Sequence, residues 1–311
     1  METINSPQTP YHVPAMLSEA IDLLDIRPDG TYIDATFGGG GHSRAILAAL
    51  GETGRLYSFD RDMDAYRNRL DDSRFNFVHG NFRHILNFMR YYGVEKVDGI
   101  LADFGVSFHH FDTPERGFSF RHEAALDMRM NQGSEKTAAG LIEESDFETI
   151  QGILRAYTDL KRPGNVAKAI VEAKSGEGIL TTTQLADAVK GALDPRQEKK
   201  ELAQVFQAFR IALNHEWDDL KIFLNSTLKI LKPEGRLVTL TYHSMEDRMV
   251  KNFMRTGNIE GVEEKDFFGK VSTPWKLLTR KPIEASKEEV EQNPRARSAR
   301  LRAAQFVGLD K

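Results

Sequence analysis

Cysteine is absent from the 311-residue chain. Its absence excludes disulfide bonds, iron–sulfur clusters, thiolate-bound zinc and a cysteine nucleophile. The chain also has no run of 18 apolar residues, so we predict no membrane-spanning helix and no membrane partner. Residues 1–14 are polar and broken by three prolines, unlike a secretory or transit segment. We therefore expect a cytoplasmic protein.

The chain has little net charge, because its 42 Lys and Arg residues nearly balance its 46 Asp and Glu residues. A net charge of -4 argues against a nucleic-acid-binding surface that covers the whole molecule, but a local basic patch remains compatible with it. One such patch contains Arg295, Arg297, Arg300 and Arg302. These arginines either hold RNA phosphates, which we favour, or solvate the edge of a strand. We expect no DNA partner.

Short apolar segments alternate with helical patterns in the first hundred residues. Strands are predicted at 31–34, 55–60, 75–78 and 97–103, which indicates βαβ units and a parallel sheet. The pattern from about 137 to 231 is helical, and a strand returns only at 236–241. This gap is far longer than an ordinary crossover, so an all-helical domain is predicted to interrupt an α/β domain.

A glycine-rich turn follows the first strand and opens a helix. It contains Gly38, Gly40 and Gly41, is preceded by Asp34 and is followed by His42. Glycines let a ligand approach the backbone, and a helix N-terminus offers free N–H donors. Asp60 ends the next strand, about twenty residues on, where a carboxylate can accept both ribose hydroxyls.

Two cofactors compete for this turn. A dinucleotide fingerprint needs Gly or Ala where this chain has Ser43, whereas an S-adenosylmethionine turn has a carboxylate where this chain has Asp34. We therefore favour S-adenosylmethionine. An NAD-dependent oxidoreductase, and a tight turn with no ligand at all, remain alternatives.

The chain resembles the bacterial MraW/RsmH family of methyltransferases over almost its whole length. The matching blocks are residues 32–43, 59–62, 98–107, 115–120, 126–130, 206–211, 242–248 and 293–298. The resemblance implies a class I S-adenosylmethionine-dependent methyltransferase fold, Rossmann-like with a mostly parallel sheet and an inserted all-helical domain. It implies methylation of the exocyclic N4 amino group of a cytosine in the decoding centre of small-subunit (16S) ribosomal RNA. The predicted domains are a methyltransferase core of 1–112 and 218–311 and a substrate-recognition domain of 113–217.

The resemblance also implies roles for individual residues. Cofactor contacts are expected from Gly40, Gly41, His42, Asp60, Phe82 and Asp103. Where the family usually has a Gln near the cofactor, this chain has His110, which is assigned to the cofactor with its contact left open.

Cytosine methylation at ring C5 usually requires a thiolate that first adds to the ring, and this chain has none. Amino methylation requires no covalent step, only positioning and a hydrogen-bond acceptor for the amino group. Asp103 ends the fourth strand, where an open α/β sheet puts such a group. Its sequence context differs from the Asp/Asn-Pro-Pro-Tyr of many amino methyltransferases, so it is either the proton acceptor or a cofactor anchor. His243 is the second catalytic candidate, with fixing of Glu246 and Arg248 as its alternative role.

RNA contacts are expected near the entrance to the inserted domain and in the basic patch. The candidates are Arg116, Phe118, Arg129, Arg210, Arg295 and Arg297. Packing is the alternative for Phe118 and Phe120, and a tie between the two domains is the alternative for Arg210 with Asn214.

Other functions and properties remain open at this point. One is a non-catalytic RNA-binding factor of ribosome assembly, and another is a methyltransferase that acts on protein or on a small molecule. We predict no metal site, because the adjacent His109 and His110 would point apart on a strand. The sequence does not give the target position, the assembly state of the subunit or whether the chain forms a homodimer.

Overall fold

The computed structural model describes residues 14–104, 113–176, 178–265, 269 and 271–308. Two compact units make up the chain. The first comprises Met1–Gly105 and Asp219–Lys311, and the second is Val106–Asp218. The predicted inserted segment, 113–217, falls inside the second unit.

A mixed sheet forms the centre of the first unit. The strands in chain order are β1 (Thr31–Asp34), β2 (Arg55–Asp60), β3 (Phe75–His79), β4 (Val97–Asp103), β5 (Leu231–Thr241), β6 (Glu264–Lys265), β7 (Val271–Ser272), β8 (Trp275–Leu277), β9 (Ile283–Glu284) and β10 (Arg300–Phe306). The sheet order is β3-β2-β1-β4-β5-β10-β8, with β9 beside β10, while β6 and β7 pair separately. Strands β1 to β5 pair in parallel and β10 is antiparallel to its neighbours. The predicted α/β class with a mostly parallel sheet is confirmed.

Helices occupy most of the segments between the strands. They are α1 (Leu17–Leu24), α2 (Gly41–Ala49), α3 (Ile85–Tyr91), α4 (Ala138–Glu144), α5 (Phe147–Tyr157), α6 (Pro163–Ser175), α7 (Thr182–Lys190), α8 (Glu198–Asn214), α9 (Glu216–Ile230), α10 (Ser244–Thr256) and α11 (Lys287–Gln292). Among the described residues, no helix combines the length and apolar character that a membrane crossing requires.

The central strands of the sheet are buried on both faces. Ile100 and Leu101 are adjacent in β4, yet they belong to different apolar clusters, each with 0% exposure. Alternate side chains of a strand point to opposite faces, so a strand covered on both sides reads as a continuous apolar run. This explains why the central strands can be predicted from short apolar segments.

Strand order reverses at β1, because β2 and β3 lie on one side of it and β4 and β5 on the other. At such a switch point the loops that leave the carboxyl ends of β1 and β4 diverge and leave a crevice. The glycine-rich turn follows β1, and Asp103 ends β4. Both predicted elements of the site therefore lie beside the same crevice.

Strand β10 was not predicted, and it changes the interpretation of the basic patch. It has β5 on one side and β9 and β8 on the other, with β9 beside Arg300, so Arg300 and Arg302 do not solvate a sheet edge and that alternative is wrong for them. Arg302 is 6% exposed and donates to both carboxylate oxygens of Asp247, at 2.6 and 3.0 Å. Arg300 approaches the same carboxylate at 3.4 Å. Arg302 and Asp247 thus form a buried ion pair, which the partly exposed Arg300 joins from outside.

The second unit has an apolar core of its own, to which helices α4 to α8 contribute. Its helices begin at polar caps, as when Thr137 accepts a hydrogen bond from Gly140 N. Thr181 and Gln184 form a reciprocal capping box at the start of α7. These local signals account for the helical pattern in the sequence.

Candidate functional site

The glycine-rich turn leaves backbone open to a ligand. Gly38 and Gly40 have φ angles of +49° and +75°, in the left-handed region that favours glycine. A Cβ atom on Gly38 would have no heavy atom within 4 Å, so its backbone faces open space. A Cβ atom on Gly40 would lie 2.8 Å from the Phe37 ring, and Gly40 is also the N-cap of α2. Gly38 thus lets a ligand approach the backbone, and Gly40 lets the backbone pack closely against the Phe37 ring.

Asp34 supports this turn from the interior. It is 0% exposed, and its carboxylate accepts from Ser43 Oγ at 2.6 Å and from Thr36 N at 3.1 Å. Burial raises the pKa of Asp34, while nearby His42 and the Ser43 hydroxyl act in the opposite direction. Ser43, whose type argued against a dinucleotide, is therefore a structural partner of Asp34.

His42 presents an unpartnered nitrogen inside the turn. The residue is 5% exposed, and Nε2 has no hydrogen-bond partner among the described residues. Buried polar atoms nearly always have a partner, so this atom is suited to a ligand. Burial lowers the pKa of His42, so the imidazole is neutral at pH 7.

Asp60 joins the end of β2 to the glycine-rich turn. Its Oδ2 accepts from Gly38 N at 2.8 Å, and its Oδ1 accepts from Asp62 N at 2.9 Å. Burial raises the pKa of Asp60 to about 6, although both backbone hydrogen bonds oppose the shift. Each carboxylate oxygen retains a second lone pair, so the group can still accept a pair of ribose hydroxyls.

Phe82 begins a short 3-10 helix, Phe82–His84, directly after β3. The half-buried ring packs edge-on against Phe104 and Phe223, with centroid distances of 5.9 and 5.2 Å. An aromatic surface held in this way fits a flat base such as adenine.

Asp103 is held in place by residues that lie just after two neighbouring strands, β1 and β5. Its backbone N–H donates to Thr36 Oγ1 at 2.7 Å, and its Oδ2 accepts from the Tyr242 hydroxyl at 3.3 Å. Burial raises the pKa of Tyr242 well above its usual value, and the Asp103 charge adds to the shift. Tyr242 therefore keeps its proton and remains a donor. Sequence reasoning did not single out this residue, although its position just after β5, beside the end of β4, was a usable signal.

His243 follows Tyr242, and its side chain hydrogen-bonds a backbone N–H group. It is the N-cap of α10, and its Nδ1 accepts from Met245 N at 3.4 Å. One ring nitrogen is thus engaged in capping, and a catalytic role for His243 stays a prediction.

Arg116 and Phe118, two predicted RNA contacts, are buried in the second unit. Each is 5% exposed. The Arg116 guanidinium donates to the Arg129 carbonyl at 2.9 Å, and Phe118 belongs to the apolar core. An RNA contact needs an exposed side chain, so this structure assigns both residues to packing and corrects the expectation.

Arg129 and Arg210 each pair with a carboxylate of the second unit. Arg129 makes two hydrogen bonds to Asp127, at 2.8 and 2.7 Å, and Arg210 makes two to Glu216, at 2.9 and 3.1 Å. Asn214 hydrogen-bonds the backbone of Met128 and Met130, also in this unit. All these contacts organise the inserted segment itself.

The remaining candidates are described in part. Arg297 is exposed on the 3-10 helix Pro294–Ser298. His110 and the side chain of Arg295 lie outside the described residues.

Comparisons with known proteins give a consistent result. The family model described as the MraW methylase family matches residues 9–307. The ribosomal RNA small subunit methyltransferase H of Phocaeicola vulgatus is 55% identical over 295 residues, which is 95% of this chain and 97% of that protein. The protein of the same name from Christiangramia forsetii is 50% identical over 294 residues, with 94% and 97% coverage.

Among solved structures the similarity is low. An rRNA methylase from Streptococcus thermophilus aligns with a TM-score of 0.40 at 12% identity, covering 97% of this chain and 99% of that chain.

Proposed function

The chain belongs to the MraW methylase family, and from this premise we propose that it methylates the exocyclic N4 amino group of a cytosine in the decoding centre of small-subunit ribosomal RNA. S-Adenosylmethionine is its cofactor. The observation that carries the proposal is the arrangement around the crevice. Asp60 ends β2 and Asp103 ends β4, on either side of a glycine-rich turn whose buried imidazole nitrogen has no hydrogen-bond partner in the part of the chain that the structure describes.

The residues at the crevice fit S-adenosylmethionine. Gly38, Gly40 and Gly41 form the turn, and His42 has a ring nitrogen without a hydrogen-bond partner among the described residues. Asp60 would hold the ribose and Phe82 would pack against the adenine. When bound, the cofactor supplies an electrophilic methyl group on a sulfonium sulfur. The cationic sulfonium centre is compatible with the carboxylate of Asp103, whereas the anionic pyrophosphate of a dinucleotide is not, and buried Asp34 supports the turn from behind.

Asp103 acts on the target amino group. The N4 lone pair is delocalised into the cytosine ring, so an acceptor that pulls on the N–H bond makes the nitrogen a better nucleophile. The carboxylate of Asp103 accepts that hydrogen bond and takes the proton that the nitrogen loses. The Tyr242 hydroxyl and Thr36 fix the orientation of Asp103. A covalent route through ring C5 would need a nucleophile such as a thiolate, and the sequence contains no cysteine.

The alternatives lose their support. The family and its curated relatives are methyltransferases by name, and the position where a dinucleotide turn needs Gly or Ala holds Ser43, whose hydroxyl hydrogen-bonds buried Asp34. Neither an NAD-dependent oxidoreductase nor a non-catalytic assembly factor is favoured by a feature of the described residues.

Small-subunit ribosomal RNA is proposed as the substrate because the relatives are named as methyltransferases of that RNA. We assign phosphate contact to exposed Arg297, with Arg295 as its companion in sequence. A homodimer and a cytoplasmic location stay predictions, which sedimentation and cell fractionation would test.

Transfer of labelled methyl groups tests the proposal. Small subunits purified from cells lacking the protein, and naked ribosomal RNA, are incubated with the enzyme and labelled cofactor. We expect label in RNA with the wild type, a fall of about a hundredfold or more in kcat with Asp103→Asn, and near-normal transfer with Asp71→Asn, a change at an exposed carboxylate. Near-normal turnover by Asp103→Asn would remove Asp103 from the chemistry.

A further inference from the structure

A buried carboxylate on α9 connects two loops of the crevice. Asp219 is 2% exposed and accepts three hydrogen bonds from other segments of the first unit. The donors are Asn81 Nδ2 at 2.5 Å, Arg83 Nη1 at 2.8 Å and Arg61 Nη1 at 3.5 Å. Arg61, Asn81, Arg83 and Asp219 are called the Asp219 cluster below.

Each donor of the cluster is a sequence neighbour of a cofactor residue. Arg61 directly follows Asp60, and Asn81 and Arg83 flank Phe82. Asn81 also accepts from Arg83 N at 3.0 Å and thereby starts the 3-10 helix that presents Phe82. Asp219 therefore holds the loop after β2 and the loop after β3 at the same time.

The charge of Asp219 is matched to its partners. A carboxylate accepts at both oxygens, whereas an amide in its place has one oxygen and one N–H group that would face donors. Hydrogen bonds to a charged group contribute more than neutral ones. An asparagine at position 219 would therefore leave either the Arg83 donor or the Asn81 donor facing an N–H group, and would weaken the hydrogen bond to the other.

We infer that Asp219 is a positioning residue for the adenosine part of the cofactor. It does not touch the cofactor but fixes the two loops so that Asp60 and Phe82 are arranged before binding. Preorganised loops lose less conformational freedom when a ligand binds, which strengthens affinity. The inference rests on the proposed function, because it assigns Asp60 and Phe82 to the ribose and adenine.

Calorimetric titration of full-length Asp219→Asn with S-adenosylhomocysteine and with adenosine tests the inference. We expect Kd to rise about tenfold for both ligands, since both use the two loops. At saturating cofactor, kcat should stay within about twofold of the wild type, so the effect is on affinity. The matched control is Asp218→Asn, which removes the neighbouring exposed carboxylate and should leave both Kd values unchanged.

Two further measurements separate positioning from a loss of folding. In the ligand-free variant, hydrogen exchange should accelerate at 61–62 and 81–84, while the strands of the sheet keep their protection. Arg83→Met, at a side chain that is 34% exposed, gives a second variant in case Asp219→Asn does not fold. It should also weaken adenosine binding, and the double variant should bind no more weakly than Asp219→Asn alone.

The outcomes distinguish this inference from the proposed function. Unchanged adenosine affinity in both single variants, with wild-type binding intact, overturns the positioning role alone. Protection lost across the whole sheet of Asp219→Asn, with normal adenosine binding in Arg83→Met, overturns it as well. Failure of the wild type to bind S-adenosylhomocysteine would instead contradict the proposed function.

Discussion

Replacing Asp60 by Asn should weaken cofactor binding and remove its dependence on pH. Ribose hydroxyls donate to an ionised carboxylate, and the pKa of Asp60 in the ligand-free protein is raised to about 6 by burial. Protons therefore compete with the ribose below pH 6. The ionised fraction of Asp60 falls from about 0.99 at pH 8 to about 0.09 at pH 5. If only the ionised form binds the cofactor, Kd should therefore rise roughly tenfold between these pH values.

The sign of the effect follows from the direction of the shift. A raised carboxyl pKa means that the folded protein binds the proton more tightly than the unfolded chain, so its stability falls as pH rises from about 4 to about 6. Cofactor affinity changes in the opposite sense, because binding needs the ionised form. Through Asp60, a lower pH should thus stabilise the ligand-free folded protein and weaken its complex with the cofactor.

Calorimetry with S-adenosylhomocysteine between pH 5 and pH 8 is the assay. Asp60→Asn should show a Kd about ten to a hundredfold higher at pH 8, from the loss of charge-assisted hydrogen bonds, and a nearly flat profile. Asp71→Asn, at an exposed carboxylate, should retain the wild-type profile. A tenfold pH effect that persists in Asp60→Asn would refute the reasoning and point to another titrating group.

Other changes test the site and the fold. Tyr242→Phe removes the hydrogen bond to Asp103, and we expect kcat to fall about fivefold in methyl-transfer assays while the Kd of S-adenosylhomocysteine changes less than twofold. An equal loss in Kd would make Asp103 a cofactor anchor. Arg302→Leu leaves buried Asp247 with one weaker partner, so urea unfolding should show a loss of about 3 kcal/mol, and a loss under 1 kcal/mol would contradict the ion pair. Arg297→Ala should keep stability but weaken RNA binding and lower its salt dependence, and unchanged binding in filter assays would exclude that contact.

The parts of the fold that follow from local patterns were predictable. Strands β1, β2 and β4 are found where short apolar segments placed them, because a strand buried on both faces has a continuous apolar sequence. Strand β10 was missed because arginines occupy two of its seven positions. One of them, Arg302, forms an ion pair with Asp247, which lies more than fifty residues earlier in the sequence, and no local pattern indicates such a partner.

In the site, too, features that follow from local sequence could be predicted, whereas features that depend on contacts between distant segments could not. The positions of Asp60, Asp103 and the glycine-rich turn could be predicted because they lie at or shortly after the carboxyl ends of strands, which meet at one edge of the sheet. Tyr242 and Asp219 were not, because their roles come from hydrogen bonds between distant segments. Arg116 was misjudged for the reverse reason, since its charge suggested RNA while backbone carbonyls of its own unit take up the guanidinium.

The chemical identity of the methylated nucleoside tests the central claim most directly. Small subunits from cells lacking the protein are methylated with labelled cofactor, and the RNA is digested to nucleosides. The labelled product is identified by its chromatographic retention against N4-methylcytidine and 5-methylcytidine standards, because the two isomers have the same mass. A chain without cysteine that uses Asp103 as proton acceptor should give N4-methylcytidine from small-subunit RNA. Label in 5-methylcytidine, or only in protein, would contradict the account.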